Sequence, residues 1–354
     1  MKTWDVVVVG GGIIGLSLSR ALHQHGLRVL VVERSEPGRE ASSAAAGMLA
    51  DGMLETPTQL QGIASASARM YPEFVQELQD ESGVNVDLRS QGTLFFPSEK
   101  ELSEHAPQFS LPQPIHDLEP ELVAENRPAF FLNERSVDPQ ALVTAALKAA
   151  KHRGIDISSG TTVTELLMAQ GRVAGVKTDK TTYPAGAVVN CAGAWAGQLS
   201  PFPIRPVKGQ MLCVIDETRK LLRHVIRSPE VYLVPRSDGR LVIGATLEEA
   251  GFDKRTNPDT IRRLQQAAIR MLPKLKNTSI HDAWAGLRPG TPDNLPILGA
   301  ATPPGLFLAA GHYRDGILLA PITAHLMAQL VTGQPADYNL SAFSPARFVV
   351  LRRA

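Results

Sequence analysis

The residues Gly10-Gly11-Gly12-Ile13-Ile14-Gly15 have the spacing G-x-G-x-x-G. Between a strand and a helix, such a turn cradles the pyrophosphate of a dinucleotide. Gly10 permits the tight turn, Gly12 lets the backbone approach the phosphates, and Gly15 lets helix and strand pack closely. The helix start adds amide donors and the positive end of its dipole. Glu33 lies 18 residues past Gly15, where an acid can bind ribose hydroxyls. A ligand-free glycine turn is the competing interpretation, and the complete strand–helix–strand unit with its terminal acid outweighs it. Either NAD or FAD can use this fingerprint. The segment Ala41-Ser42-Ser43-Ala44-Ala45-Ala46-Gly47-Met48 could pack bare backbone against a broad flat ring, with serines on phosphate oxygens. By composition alone it reads as a flexible linker.

Two arginines stand out. Arg288 sits in Gly-Leu-Arg-Pro-Gly and Arg314 in Gly-His-Tyr-Arg-Asp-Gly. Both are expected in glycine-flanked loops at the ends of strands, where such folds bind ligands. A guanidinium fork holds a carboxylate by two parallel hydrogen bonds. No Ser-His-Asp, Cys-His or metal-ligand spacing is recognisable. Cys191 and Cys213 fit neither a metal site nor a redox pair, and a disulfide is not expected.

The elements that must position these groups follow from periodicity. Val6–Val9 is a continuous β-branched run, the mark of a central parallel strand. Ile14, Leu18 and Leu22 set a helix over 13–25, and residues 28–33 form a second buried strand. Residues 35–50 read as an extended loop, 58–82 as a helix, and 97–135 as irregular. Asp138-Pro139 starts a helix to about 152, as N-cap and first-turn proline. Strands are expected at 86–88, 93–96, 155–157, 163–167, 173–178 and 187–190. A meander follows at 210–215, 232–235 and 241–244. Beyond it come a helix over 258–272, strands at 281–284 and 306–310, and a last helix from Gly316. The fold class is α/β. A Rossmann-like dinucleotide domain (1–85, 137–205 and 286–354) interleaves with a mainly antiparallel substrate-binding domain (86–136 and 206–285).

With 44% hydrophobic and 20% charged residues, the 354-residue chain can bury the cores of two domains. A net charge of +1, without runs of like charge, argues against nucleic acid as a partner. The apolar stretch 316–331 is shorter than a membrane span and reads as a buried helix. A cytoplasmic location is expected, and a homo-oligomer is left open.

The chain resembles the D-amino acid oxidase superfamily of flavoproteins, and within it the glycine oxidase branch linked to thiamine biosynthesis. The resemblance runs over nearly the whole length. It is carried by VVVVGGGIIG, ER at 33–34, SSAAAGML at 42–49, VNCAGAWAG at 189–197 and PVKGQML at 206–212. YLVPR at 232–236, GRLVIGAT at 239–246, WAGLRPGTPDNLPILG at 284–299 and AAGHYRDGILLAP at 309–321 complete it. It implies FAD contacts at Ile13, Ile14, Glu33, Arg34, Ala41, Ser42, Ala46, Gly47 and Met48, with Val163 presenting its backbone to the adenine. Ala192 and Gly193 would pass the diphosphate. His312, Tyr313, Arg314, Asp315, Gly316, Ile317 and Leu318 would run along the flavin, with the final helix aiming its N-terminus at the pyrimidine end. Arg288 would hold the substrate carboxylate, with Arg314 and Tyr232 beside it. The sequence departs from that branch at Leu247, where methionine often lines the substrate pocket, and at Asp315, where asparagine is common.

The implied reaction is hydride transfer from a small amino acid or amine to FAD. It gives an imino acid, then hydrogen peroxide from dioxygen. The imino acid would serve thiazole formation. The alternative is a dehydrogenase of the same fold, acting on proline, a D-amino acid or sarcosine and passing electrons to a quinone or protein. A non-catalytic flavin subunit would have no need of the clamp arginines.

Overall fold

The computed structural model describes residues 3–52, 56–105, 114–124 and 127–348. Parts of the proline-rich segment, 106–113 and 125–126, therefore lie outside the described residues. Strand Trp4–Val9 lies between Val29–Val32 and Thr182–Asn190, parallel to both. A strand covered on both faces needs apolar side chains at successive positions. Val6 and Val8 pack with Leu16, Leu142 and Leu326 from the helices Ile13–Gln24, Pro139–His152 and Ala320–Val331. Val7 and Val9 pack on the other side with Leu30, Val173, Val176 and Val188. The unbroken valine run is thus shared between two cores.

The sheet extends through Asp156–Ser158 on one side, and through Leu306–Ala310 and Ile297–Ala301 on the other. The hairpin Val163–Ala169 and Arg172–Thr178 joins it by pairing with Thr182–Asn190, which makes eight strands.

A second sheet has seven strands, in the order Ile280–Gly290, Arg205–Ile215, Arg240–Gly244, Tyr232–Pro235, Val225–Arg227, Thr93–Phe95 and Phe130–Leu132. Its pairings are antiparallel apart from Val225–Arg227 with Thr93–Phe95. Leu212, Leu233 and Ile243 on one face pack against Ile261, Leu264 and Ala268 of helix Pro258–Met271. Met211, Val234 and Val242 on the other face gather round Ala46. Met48–Leu49, Arg135–Val137 and Leu88–Arg89 form a third, small sheet. Among the described residues no helix is long and apolar enough to cross a membrane.

Helix Thr58–Ser82 and strands Tyr232–Pro235 and Leu306–Ala310 lie where the sequence sets them. Asp138 caps helix Pro139–His152 by accepting from the Gln140 N–H at 3.0 Å. Elsewhere the structure corrects the expectation. The segment 35–50 holds a short helix, Ala41–Ala44, and strand Met48–Leu49, because Met48 pairs with Ser136. The glycines and prolines after Trp284 do not end their strand. It runs on to Gly290, paired throughout with Arg205–Ile215, and tolerates Pro289 because it is an edge strand. Arg288 is therefore a strand residue, not a loop residue. The last helix begins at Ala320 rather than Gly316. The hydroxyls of Tyr71 and Ser67 donate to the Ile317 and Leu318 carbonyls and fix a turn there instead. Strands Val225–Arg227 and Ile297–Ala301 were not foreseen.

At Gly15 an added Cβ would lie 2.0 Å from the Gly10 carbonyl oxygen, and at Gly10 one would lie 2.5 Å from the Cys191 carbonyl oxygen. Gly15→Ala should therefore destabilise the fold by about 1–3 kcal/mol through overpacking. A denaturation midpoint equal to that of the parent would show that this close approach does not constrain the turn.

Candidate active site and cofactor cavity

A cavity of about 540 Å³ opens between the two large sheets. One part is built from the nucleotide turn. Gly10, Gly12, Ile13, Ile14, Glu33 and Arg34 line it, joined by Ala41, Ser42, Ala46, Gly47 and Met48, and by Val163, Ala192 and Gly193. The other part gathers Tyr232, Arg288, His312, Tyr313, Arg314, Gly316 and Ile317. Three expected residues stand outside the lining: Gly15, Asp315 and Leu318. Gly15 packs helix against strand, and the Leu318 side chain joins the core. Leu247 also lies outside the lining, with 56% of its surface exposed.

The start of helix Ile13–Gln24 faces the cavity without a cap of its own, and the Ile13 N–H donates to Ser42 Oγ at 3.0 Å. The Glu33 carboxylate is buried in the wall and accepts from the Gly11 and Ser35 N–H groups at 2.8 and 3.0 Å. Segment 41–48 is clasped by the second sheet. Trp284 Nε1 donates to the Ala44 carbonyl at 3.1 Å, and Arg236 donates to that of Ala46. The wall also contains residues that sequence reasoning missed. Trp195 takes the Arg34 guanidinium over its ring, 3.5 Å from the centroid, and stacks on Phe252. Arg34 pairs in turn with Glu40. Trp195 lies inside the recognised VNCAGAWAG segment, but its partner is far away in sequence.

The cationic part is arranged by strand pairing. A Cβ on Gly209 would lie 2.4 Å from both Nη atoms of Arg288, so the guanidinium rests on the bare backbone of the neighbouring strand. Arg288 Nη1 donates to the Thr246 carbonyl at 3.2 Å, and no carboxylate among the described residues pairs with it. Tyr232 donates its hydroxyl to Met211 Sδ at 2.9 Å. Desolvation pushes this phenol up to about 12, against the pull of the nearby Arg288 and Arg314 charges. His312 is fully buried, its Nε2 3.1 Å from Thr323 Oγ1, and burial pushes the imidazole down to about 3. Cys191 and Cys213 are free and buried.

A family model described as DAO, FAD dependent oxidoreductase, matches residues 5–330. The chain belongs to this family. The bifunctional protein ThiO/ThiG of Trichormus variabilis is 37% identical over 361 residues, covering 98% of this chain and 55% of that protein. The chain thus spans about half the length of that relative. The glycine oxidase of Pseudomonas aeruginosa is 33% identical over 362 residues, covering 96% of this chain and 98% of the relative. The crystal structure of glycine oxidase from Geobacillus kaustophilus matches with a TM-score of 0.92 at 31% identity, covering 97% of this chain and 98% of that one.

FAD is the cofactor of the DAO family, and the cavity fits it. The helix start at Ile13, with Ser42 beside it, and the bare backbone at Gly193 suit a diphosphate. The N–H groups of Gly316 and Ile317, in the cavity wall, donate to no protein acceptor among the described residues. Such donors suit ring carbonyls and the negative charge of a reduced flavin.

The neutral His312 gives folding a pH dependence. An unfolded imidazole titrates near 6.5, the folded one near 3. Between these values the unfolded chain holds the extra proton, so stability falls as pH drops from 6.5 towards 3. His312→Asn should flatten this slope in denaturant midpoints measured across the window. An unchanged slope would assign the effect to other groups.

Proposed function

We propose that the protein oxidises the C–N bond of glycine or a similarly small amino acid, with dioxygen as electron acceptor, and that the imino acid serves thiazole formation in thiamine biosynthesis. The observation that carries this reading is Arg288, a part-buried guanidinium that pairs with no carboxylate among the described residues, in the same cavity as the dinucleotide turn. Held along Gly12, Ser42 and Gly193, FAD would supply the acceptor for the hydride of the substrate Cα and the two electrons that convert dioxygen to hydrogen peroxide.

The protein's part is to bind and orient. Arg288 has one donor tied to Thr246 and the Tyr232 hydroxyl beside it, and offers its other donors to a substrate carboxylate. Arg314 and Tyr232 add charge and a hydroxyl at the same end. Tyr232 stays protonated well beyond neutral pH and so remains a donor. The apolar walls, among them Ala44, Met211 and Ala309, exclude water and favour a neutral amine, the form that can release hydride. No side chain need act as acid or base beyond that, since the cofactor carries the redox chemistry. Imino acid that is released and not taken up for thiazole formation adds water to give an oxo acid and ammonia.

The test is anaerobic addition of glycine, sarcosine, D-alanine and D-proline to the yellow holoenzyme. Glycine should bleach the flavin, and air should restore it with release of peroxide. Bleaching by another amine alone, or a flavin that stays reduced in air, would point to the dehydrogenase reading. Arg288→Ala should lower kcat/KM by about 10²–10³-fold while FAD stays bound, as expected for loss of a charged clamp. A fully active variant would remove Arg288 from the site.

A further inference from the structure

Arg288 does not orient itself. Thr246, which accepts from its Nη1, is held in turn by a polar group on the opposite face of strand Arg205–Ile215. The Thr246 N–H donates to the Gln210 carbonyl at 3.3 Å, and its hydroxyl accepts from the Gln210 N–H at 2.9 Å. That hydroxyl donates onward to Glu248 Oε1. The same oxygen accepts from Gln210 Nε2 at 2.7 Å. Glu248 and Lys208 exchange backbone hydrogen bonds, both at 2.9 Å, and the buried Lys208 ammonium lies 4.0 Å from the Glu248 carboxylate. Thr246 and Glu248 are both outside the cavity lining.

We propose that Glu248 is a positioning residue for the substrate-carboxylate clamp, an inference that rests on the oxidase reading above. Its carboxylate fixes the Thr246 hydroxyl and hence the peptide unit whose carbonyl holds Arg288 Nη1. One edge of the guanidinium is thereby occupied, and the remaining donors face a carboxylate in a set orientation. Without the Glu248 carboxylate the Thr246 hydroxyl loses its acceptor, the peptide unit after Thr246 is held less firmly, and the guanidinium's anchor over Gly209 loosens. Small displacements of a clamp cost binding steeply.

The experiment uses the holoenzyme and compares Glu248→Ala, Thr246→Val and Glu249→Ala with the parent. Glu249 carries the same charge one residue on, pairs with Arg205 at the surface, and serves as the control. Two readouts are taken: KM and kcat for glycine, and the affinity for acetate, a carboxylate with no amine, read from the flavin spectrum. Glu248→Ala and Thr246→Val should each raise KM and weaken acetate by about tenfold. They should leave kcat and FAD content unchanged. The double variant should be no worse than the weaker single one, since both cut the same chain of bonds. Glu249→Ala should match the parent, and Glu248→Gln, which keeps an acceptor oxygen, should recover most of the loss. Unchanged KM and acetate affinity in Glu248→Ala, or a lowered melting temperature with both intact, would overturn the inference. So would an equal effect from Glu249→Ala. If the parent itself neither oxidises glycine nor binds acetate, it is the oxidase reading that fails.

Discussion

A guanidinium taken partly out of water needs an anion, and at Arg288 the described residues supply the Thr246 carbonyl and the nearby Tyr232 hydroxyl but no carboxylate. The rest of the site can be understood from that imbalance. A fixed carboxylate beside Arg288 would satisfy it and close the cavity to carboxylate ligands. The structure instead supports the planar group mechanically, on the bare backbone of Gly209 beneath and against Thr246 at one edge. Charge neutralisation is left to whatever enters. Tyr232 and Arg314 lie at the same end, so the local field is positive where a substrate carboxylate would sit.

Two kinds of sheet meet at this cavity. The mixed sheet, with valines on both faces of its central parallel strand, provides a rigid edge from which the nucleotide turn and the helix start project. The antiparallel sheet provides long paired strands on which single side chains can be set at fixed spacing. Met211 and Arg288 face the cavity, whereas Leu212 turns to the other core. The alternation of a strand thus separates chemistry from packing within consecutive residues.

What was legible in the sequence follows the range of the forces involved. The turn at Gly10–Gly15, the Asp138 cap and helix Thr58–Ser82 depend on neighbours in the chain, and their residues announce them. Arg288 was recognisable by type and by its flanking glycines, but its strand was not. Gly286, Pro289 and Gly290 carry turn signals that only the pairing with Arg205–Ile215 overrides. The start of the last helix was misplaced for a similar reason, since the bonds from Tyr71 and Ser67 come from 246 and 251 residues away. Trp195 over Arg34, and Thr246 against Arg288, likewise join segments that no local pattern connects.

Those two hydroxyls on helix Thr58–Ser82 also bear on the form of the cavity. They hold the Ile317 and Leu318 carbonyls in the protein interior and so fix the turn that follows Gly316 and Ile317 in the cavity wall. Neither Ser67 nor Tyr71 reaches the cavity surface. One stretch of wall is therefore held from behind, like a lens fixed in its mount. The chamber is lined by one part of the chain and braced by another.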